Sequence, residues 1–137
     1  MTTPKLFRVI LPVSSTDEAA RFYTAVLGIE GQRVSPGRYY FDCGGTILAC
    51  FDPRADGDDW DARPNADHVY FAVDDIDRRH AAAASLGCLS KDLVHGAPAG
   101  AIVRRPWGER SFYAVDPFGN KLCFVDRATV FTGHAKQ

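Results

Sequence analysis

Two stretches of the chain, FRVILPVSSTDEAARFYTAVLGI (7–29) and DHVYFAVDDIDRRHAAAASLGC (67–88), are variants of one pattern. Arg8 falls on His68, Val9 on Val69, Leu11 on Phe71, Val13 on Val73 and Asp17 on Asp77. Leu27-Gly28 falls on Leu86-Gly87 once one residue is dropped from the second copy. A repeat of this length is one supersecondary unit, and neither copy has enough apolar surface to close a core alone. The chain is therefore expected to build two like modules that share their burial.

Each copy opens on a β-branched and aromatic run, the signature of a strand. A helix follows. Ser15 or Thr16 can cap the first, with Asp17 and Glu18 in its opening turn where the helix dipole favours anions. Asp74 or Asp75 can cap the second, and Gly28 and Gly87 supply the left-handed residue that ends each helix. Helical spacing puts Ala19, Phe22, Tyr23 and Val26 on one apolar stripe, and the alanines 81–84 let the second helix lie close to whatever it covers. Three strand signals come next in each half: about 30–34, 38–43 and 46–51, then a weak one after Cys88, 109–115 and 121–125. Gly44-Gly45 is the first hairpin turn. The order is βαβββ twice, with module one at about 5–52, a linker at about 53–66, module two at about 67–126 and a tail at 127–137. The linker is rich in Asp, Pro and Gly and reads as solvated, Trp60 included; the tail lacks a pattern and is expected to be partly disordered.

At 137 residues the chain is the length of one domain. Its net charge of -1 excludes a basic nucleic-acid-binding surface as the main function. No apolar run approaches the length of a membrane span, and the first residues lack a signal peptide's continuous apolar core. Cys43, Cys50, Cys88 and Cys123 contain no CxxC and read as buried free thiols of a reducing, cytoplasmic protein.

The strand and helix RVILPVSSTDEAARFYTAVLG, the second opening DHVYFAVDDID and the ending PWGERSFYAVDPFGNKLCFV, with its Asp116–Asn120 turn, together resemble the vicinal oxygen chelate superfamily. Its members are glyoxalase, bleomycin-resistance and extradiol-dioxygenase proteins. The resemblance implies an α+β fold in which two tandem βαβββ modules form a curved, partly closed mixed sheet with the helices outside. It also implies a homodimer and, in the enzymes, one divalent metal on the concave face, held by a His or Glu from the first and last strand of each module. Carried over singly, those positions fall on Arg8, on or near Ala49 (beside Cys50), on His68 and on Cys123. Arginine has no lone pair to give and alanine no donor. His68 matches; Cys123 suits only a soft metal. The expectation is that no metal is bound.

Strand alternation puts Ile10, Pro12, Tyr70 and Ala72 on the face of Arg8 and His68, and Tyr113 with Cys123. Tyr39 is Tyr113's counterpart when counted from the turn. Related fosfomycin-resistance enzymes use a tyrosine in a similar SFY context for substrate. The expected ligand-binding set is Arg8, Tyr39, His68, Tyr70, Trp107, Tyr113 and Cys123. Each also has a structural reading: a sheet histidine, interior tyrosines with hydroxyls at the rim, a tryptophan on a pocket wall or dimer seam. Arg8 needs an acidic partner such as Glu109 or Asp42, or an anionic ligand. His95 lies in a Gly/Ala/Pro loop able to act as a flap. The function expected is binding of a small aromatic or anionic molecule without a metal, with catalysis by His68 as general base lacking a visible partner. The alternative is a metal-dependent lyase, isomerase or dioxygenase in which His68, Cys123 and His95 or Glu109 converge.

Overall fold

The computed structural model describes residues 2–133. It is an α+β fold with two four-stranded mixed sheets, each accompanied by one helix. The chain falls into two compact units, Met1–Ala66 with Pro117–Asn120, and Asp67–Asp116 with Lys121–Gln137.

In unit 1, β1 (Arg8–Pro12), α1 (Thr16–Leu27), β2 (Gln32–Ser35), β3 (Arg38–Cys43) and β4 (Thr46–Phe51) form a sheet in the order β1-β4-β3-β2. The β1–β4 pair is parallel and the others antiparallel. Ser15 is the N-cap of α1, its Oγ accepting from Glu18 N at 3.1 Å. Thr16 instead donates to Pro36 O at 2.9 Å. Ala19, Phe22, Tyr23 and Val26 are buried, as the helical spacing predicts, and Tyr23 meets Phe41 of β3 at 6.1 Å. Leu11, Leu48 and Phe41 lie on this covered side of the sheet.

The stretch expected to be a solvated linker is exposed over 54–61, Trp60 included, and is tied to unit 1 by a few specific contacts. After a 3₁₀ turn at Arg54–Asp56, the Asp56 carboxylate accepts from Gly37 N at 2.7 Å and from Ser35 Oγ at 2.9 Å. Trp60 meets Phe51 edge-on at 5.9 Å. Asp56, which looks like a solvating charge in sequence, is here an acceptor for backbone and hydroxyl donors. The buried Asn120 works similarly in the turn: its Nδ2 donates to Pro12 O at 2.7 Å and its Oδ1 accepts from Asn65 N at 2.8 Å.

Unit 2 repeats the plan with β5 (Val69–Val73), α2 (Ile76–Ser85), β6 (Leu93–Val94), β7 (Ala97–Pro98), β8 (Val103–Arg104), β9 (Arg110–Val115) and β10 (Lys121–Asp126). Its sheet runs β5-β10-β9-β8, with β5–β10 parallel. Asp75 caps α2 by backbone only and pairs with Arg79. Gly87 (φ 68) then ends the helix in a Schellman arrangement, with Cys88 N donating to Ala83 O and Gly87 N to Ala84 O. The weak strand expected after Cys88 is a single bridge from Leu89 to Ala114. A small hairpin, β6–β7, follows. The start of the tail forms a 3₁₀ turn at Arg127–Thr129, with Arg127 paired to Asp74 at 2.9 Å. Residues 134–137 lie outside the described residues.

Asn120→Ala would leave Pro12 O and Asn65 N without their buried partner, and a lost buried hydrogen bond costs about 1–3 kcal/mol. The urea midpoint is expected to fall with an unchanged m-value.

Candidate functional site

Register decides which side chains leave the helix-covered faces. In unit 2, Tyr70, Cys123 and Tyr113 are neighbours across β5, β10 and β9, and Ala72, Val125 and Ser111 form the next row. Both rows lie opposite Phe71, Phe124 and Phe112, which stack beneath α2. His68 sits just ahead of β5, its ring edge-on to Tyr113 at 5.0 Å and 6.2 Å from Tyr70. The structure thus brings His68, Tyr70, Tyr113 and Cys123 together.

Their exposure differs sharply. Tyr70 is 57% exposed, whereas Tyr113 and Cys123 are 4% and 1%. Tyr113 and Cys123 lie on the face that strand alternation assigns them, and that part of the face is covered. Val94 from β6, Ala99 just after β7 and Val130 pack on them, because the chain folds its own loop back over this part of the sheet.

Arg105 holds that loop. Only 2% of it is exposed, and it pairs with neutral oxygens. Its Nε donates to Ser111 Oγ at 3.0 Å, its Nη1 to Pro98 O at 3.5 Å, and its Nη2 to Ser111 O, Ala99 O and Ala101 O at 2.9, 3.3 and 3.3 Å. The guanidinium also lies 5.0 Å from the Tyr113 ring centroid. Carbonyl dipoles and a ring face replace the water this cation loses. Trp107 stands in the turn between Arg105 and Gly108 and donates through Nε1 to Glu109 Oε1 at 2.7 Å. Glu109 Oε2 accepts from Phe131 N at 2.8 Å. His95, at the β6–β7 turn with φ 49, meets Trp107 edge-on at 5.5 Å.

Sequence reading missed Arg105, whose partners are backbone groups of a loop with no periodic signal, and Asp67. His68 Nδ1 lies 3.2 Å from Asp67 Oδ1. With that carboxylate accepting, the proton of a neutral imidazole belongs on Nδ1, and Nε2 presents its lone pair. Hydrogen bonds from the His68 backbone and ring hold the Asp67 carboxyl below its ordinary range. The adjacency Asp67-His68 was the available signal.

In unit 1 the open face carries Arg8, Ile47 and Asp42 in one row, Ile10, Ala49 and Tyr40 in the next, then Pro12, Phe51 and Arg38. Ala49 beside Ile10 matches Cys123 beside Tyr70, so the count from the turns is right for the last strands. It fails for Tyr39. The first hairpin turns through two residues, Gly44 and Gly45, and the second through five, 116–120. A turn of different parity flips the partner strand's faces. Tyr40 is therefore Tyr113's counterpart, and Tyr39 lies on the other face beside Phe41 (5.3 Å) with the Arg33 guanidinium 5.6 Å from its ring. Arg8 meets neither expected acid. Asp42 Oδ1 accepts from Gly45 N and Glu109 is engaged as above. The exposed Arg8 guanidinium lies instead 5.0 Å from the Phe7 ring and 5.7 Å from Tyr40.

Burial pushes the Cys123 thiol from its ordinary 9.0 up to about 11, against hydrogen bonds from the Ser111 and Tyr113 hydroxyls that favour the thiolate. Burial, then Cys123, also raises the Tyr113 phenol. A divalent ion suited to this fold does not fit these donors. Arg8 and Ala49 offer none, Cys123 is a protonated thiol at neutral pH, and among the described residues no three His, Cys, Asp or Glu side chains converge.

A raised thiol value favours the folded state below pH 9.0 and loses that contribution as pH climbs toward about 11. Wild-type stability from urea titrations should fall between pH 8 and 11, with about 2–3 kcal/mol of the fall absent in Cys123→Ala.

Many solved structures resemble this one, and three illustrate the likeness. The oxidase ChaP-H2 is 25% identical, with 92% of this chain and 95% of that one covered at a TM-score of 0.71. A lactoylglutathione lyase from Agrobacterium tumefaciens is 24% identical, over 96% and 100% of the two chains, at 0.67. A glyoxalase/bleomycin resistance protein from Albidiferax ferrireducens T118 is 23% identical, over 88% and 96%, at 0.69. The curated proteins contain no match. The model of one family matches residues 5–124, nearly the whole of both modules, and by it the chain belongs to the Glyoxalase/Bleomycin resistance protein/Dioxygenase superfamily.

Proposed function

We propose that this protein binds a small aromatic or anionic molecule on the sheet face opposite its helices, without a metal. The donor set carries the reading. Of the positions where the superfamily's enzymes place metal ligands, one holds a permanent cation, one a methyl group and one a thiol raised to about 11, leaving His68. Accessible groups at or beside the same positions suit an organic ligand. In unit 2, Tyr70 offers an exposed ring and His68 an imidazole oriented by Asp67; in unit 1, Arg8 offers an unpaired cation among the described residues. Tyr113, Cys123 and Trp107 shape and support this face rather than contact the ligand. A cytoplasmic homodimer is the form in which we expect it to act.

A metal-dependent lyase, isomerase or dioxygenase is the competing reading, and solved structures with the same fold include a lactoylglutathione lyase and an oxidase. Protein purified without added metal is expected to contain far less than one equivalent of Zn, Ni, Mn or Fe by mass spectrometry. Its melting temperature should not move with any of these ions. Stoichiometric metal that disappears in His68→Ala would overturn the proposal.

A further inference from the structure

The open face of unit 1 alternates guanidinium groups with aromatic rings. Arg8 lies against Phe7 and Tyr40 as described. Arg38, two rows along, has its guanidinium 4.3 Å from the Phe51 ring centroid, and its Nη1 donates to the Tyr40 hydroxyl at 3.3 Å. Trp60 meets the far side of this group through Phe51 at 5.9 Å and is half exposed. The two cations are differently placed. Arg38 is held by the Asp56 carboxylate, Nε to Oδ2 at 3.7 Å. Arg8 is exposed and, among the described residues, meets rings only.

A guanidinium stacked on rings keeps its N–H donors in its own plane, where they can still reach an anion. We propose that this face recognises a planar aromatic acid, an aromatic ring system bearing a carboxylate or sulfonate. Arg8 takes the anionic group, and Phe7, Tyr40, Phe51 and Trp60 offer faces or edges to the ring. A neutral ring covering Arg8 would strip water from a cation and return nothing for it. An aliphatic anion would satisfy Arg8 and leave the rings unused. A polyanion is disfavoured by the overall charge of -1 and by Asp42, which shares the face. This class assignment rests on the ligand-binding reading above and narrows it.

A matched pair of fluorescent probes tests the class: 8-anilinonaphthalene-1-sulfonate and the uncharged N-phenyl-1-naphthylamine, titrated into the full chain. The sulfonate is expected to bind a single site about tenfold or more tightly than its neutral analogue, the scale of one desolvated cation contact. Arg8→Gln should abolish that preference without changing affinity for the neutral probe, and Arg8→Lys should keep part of it. Quenching of intrinsic fluorescence by the sulfonate should shrink in Trp60→Phe. Melting curves of each variant establish that it is folded. Equal affinities for the two probes, no binding of either, or a preference that survives in Arg8→Gln overturns the class. Equal binding of both probes by a metal-free chain leaves the broader ligand reading standing, whereas stoichiometric metal counts against that reading whatever the probes do.

Discussion

Phe71, Phe124 and Phe112 stack across three adjacent strands, with ring centroids 5.2 and 5.0 Å apart and planes inclined by 21° and 10°. Side chains alternate along a strand, so burying this row under α2 fixes the parity of β5, β10 and β9 together. A slip of β10 by one residue would expose Phe124 and turn Lys121 from solvent toward the helix. Fully burying one such side chain is worth about 1.5–3 kcal/mol, so the slipped register loses by far more than any single polar contact could recover. Tyr70, Cys123 and Tyr113 are where they are because the phenylalanines are where they are. Leu11, Leu48 and Phe41 set the same parity in unit 1.

The two units then diverge in what they do with the opposite face. Unit 1 leaves Arg8, Ile10 and Asp42 open to solvent. Unit 2 folds the segment around β6 and β7 over Tyr113, Cys123 and Val125, and Arg105 fastens it. A buried arginine is costly unless its donors are met. The carbonyls of Pro98, Ala99 and Ala101 meet them only when the loop is in place. Burial of the cation and closure of the loop are thus mutually dependent. The backbone repeat survives, while the chemistry of the two faces does not.

What could be read from the sequence follows from this division. The strands β1 to β5, β9 and β10, the α1 stripe and the Gly28 and Gly87 helix ends are periodic or conformationally unusual signals and were legible, whereas the two-residue strands β6, β7 and β8 were not. So was the pairing of Arg8 with His68 and of Ala49 with Cys123, since the strands concerned keep the same count. Tyr39 was misplaced because two-residue and five-residue turns differ in parity, and a count from the glycine carries that difference into the next strand. Arg105 was invisible, since backbone carbonyls of an irregular loop leave no residue-type signature. The linker's contacts with unit 1 were invisible for the same reason. Asp56 caps backbone and hydroxyl donors that only the folded chain brings near it.

Cys123 now has a reason to be a cysteine. A small, weakly polar side chain fits a position that is 1% exposed and packed by Ala99, Tyr113 and Val125, whereas a carboxylate there would need a compensating cation or metal. Ionising the thiol at neutral pH, from a value of about 11, costs about 5 kcal/mol. A soft metal can supply that much when several donors share it, because its binding energy is set against the protons it displaces. Here, among the described residues, the one imidazole near the thiol in the same unit is that of His68. An uncharged, packable side chain is therefore the more stable choice at this buried position.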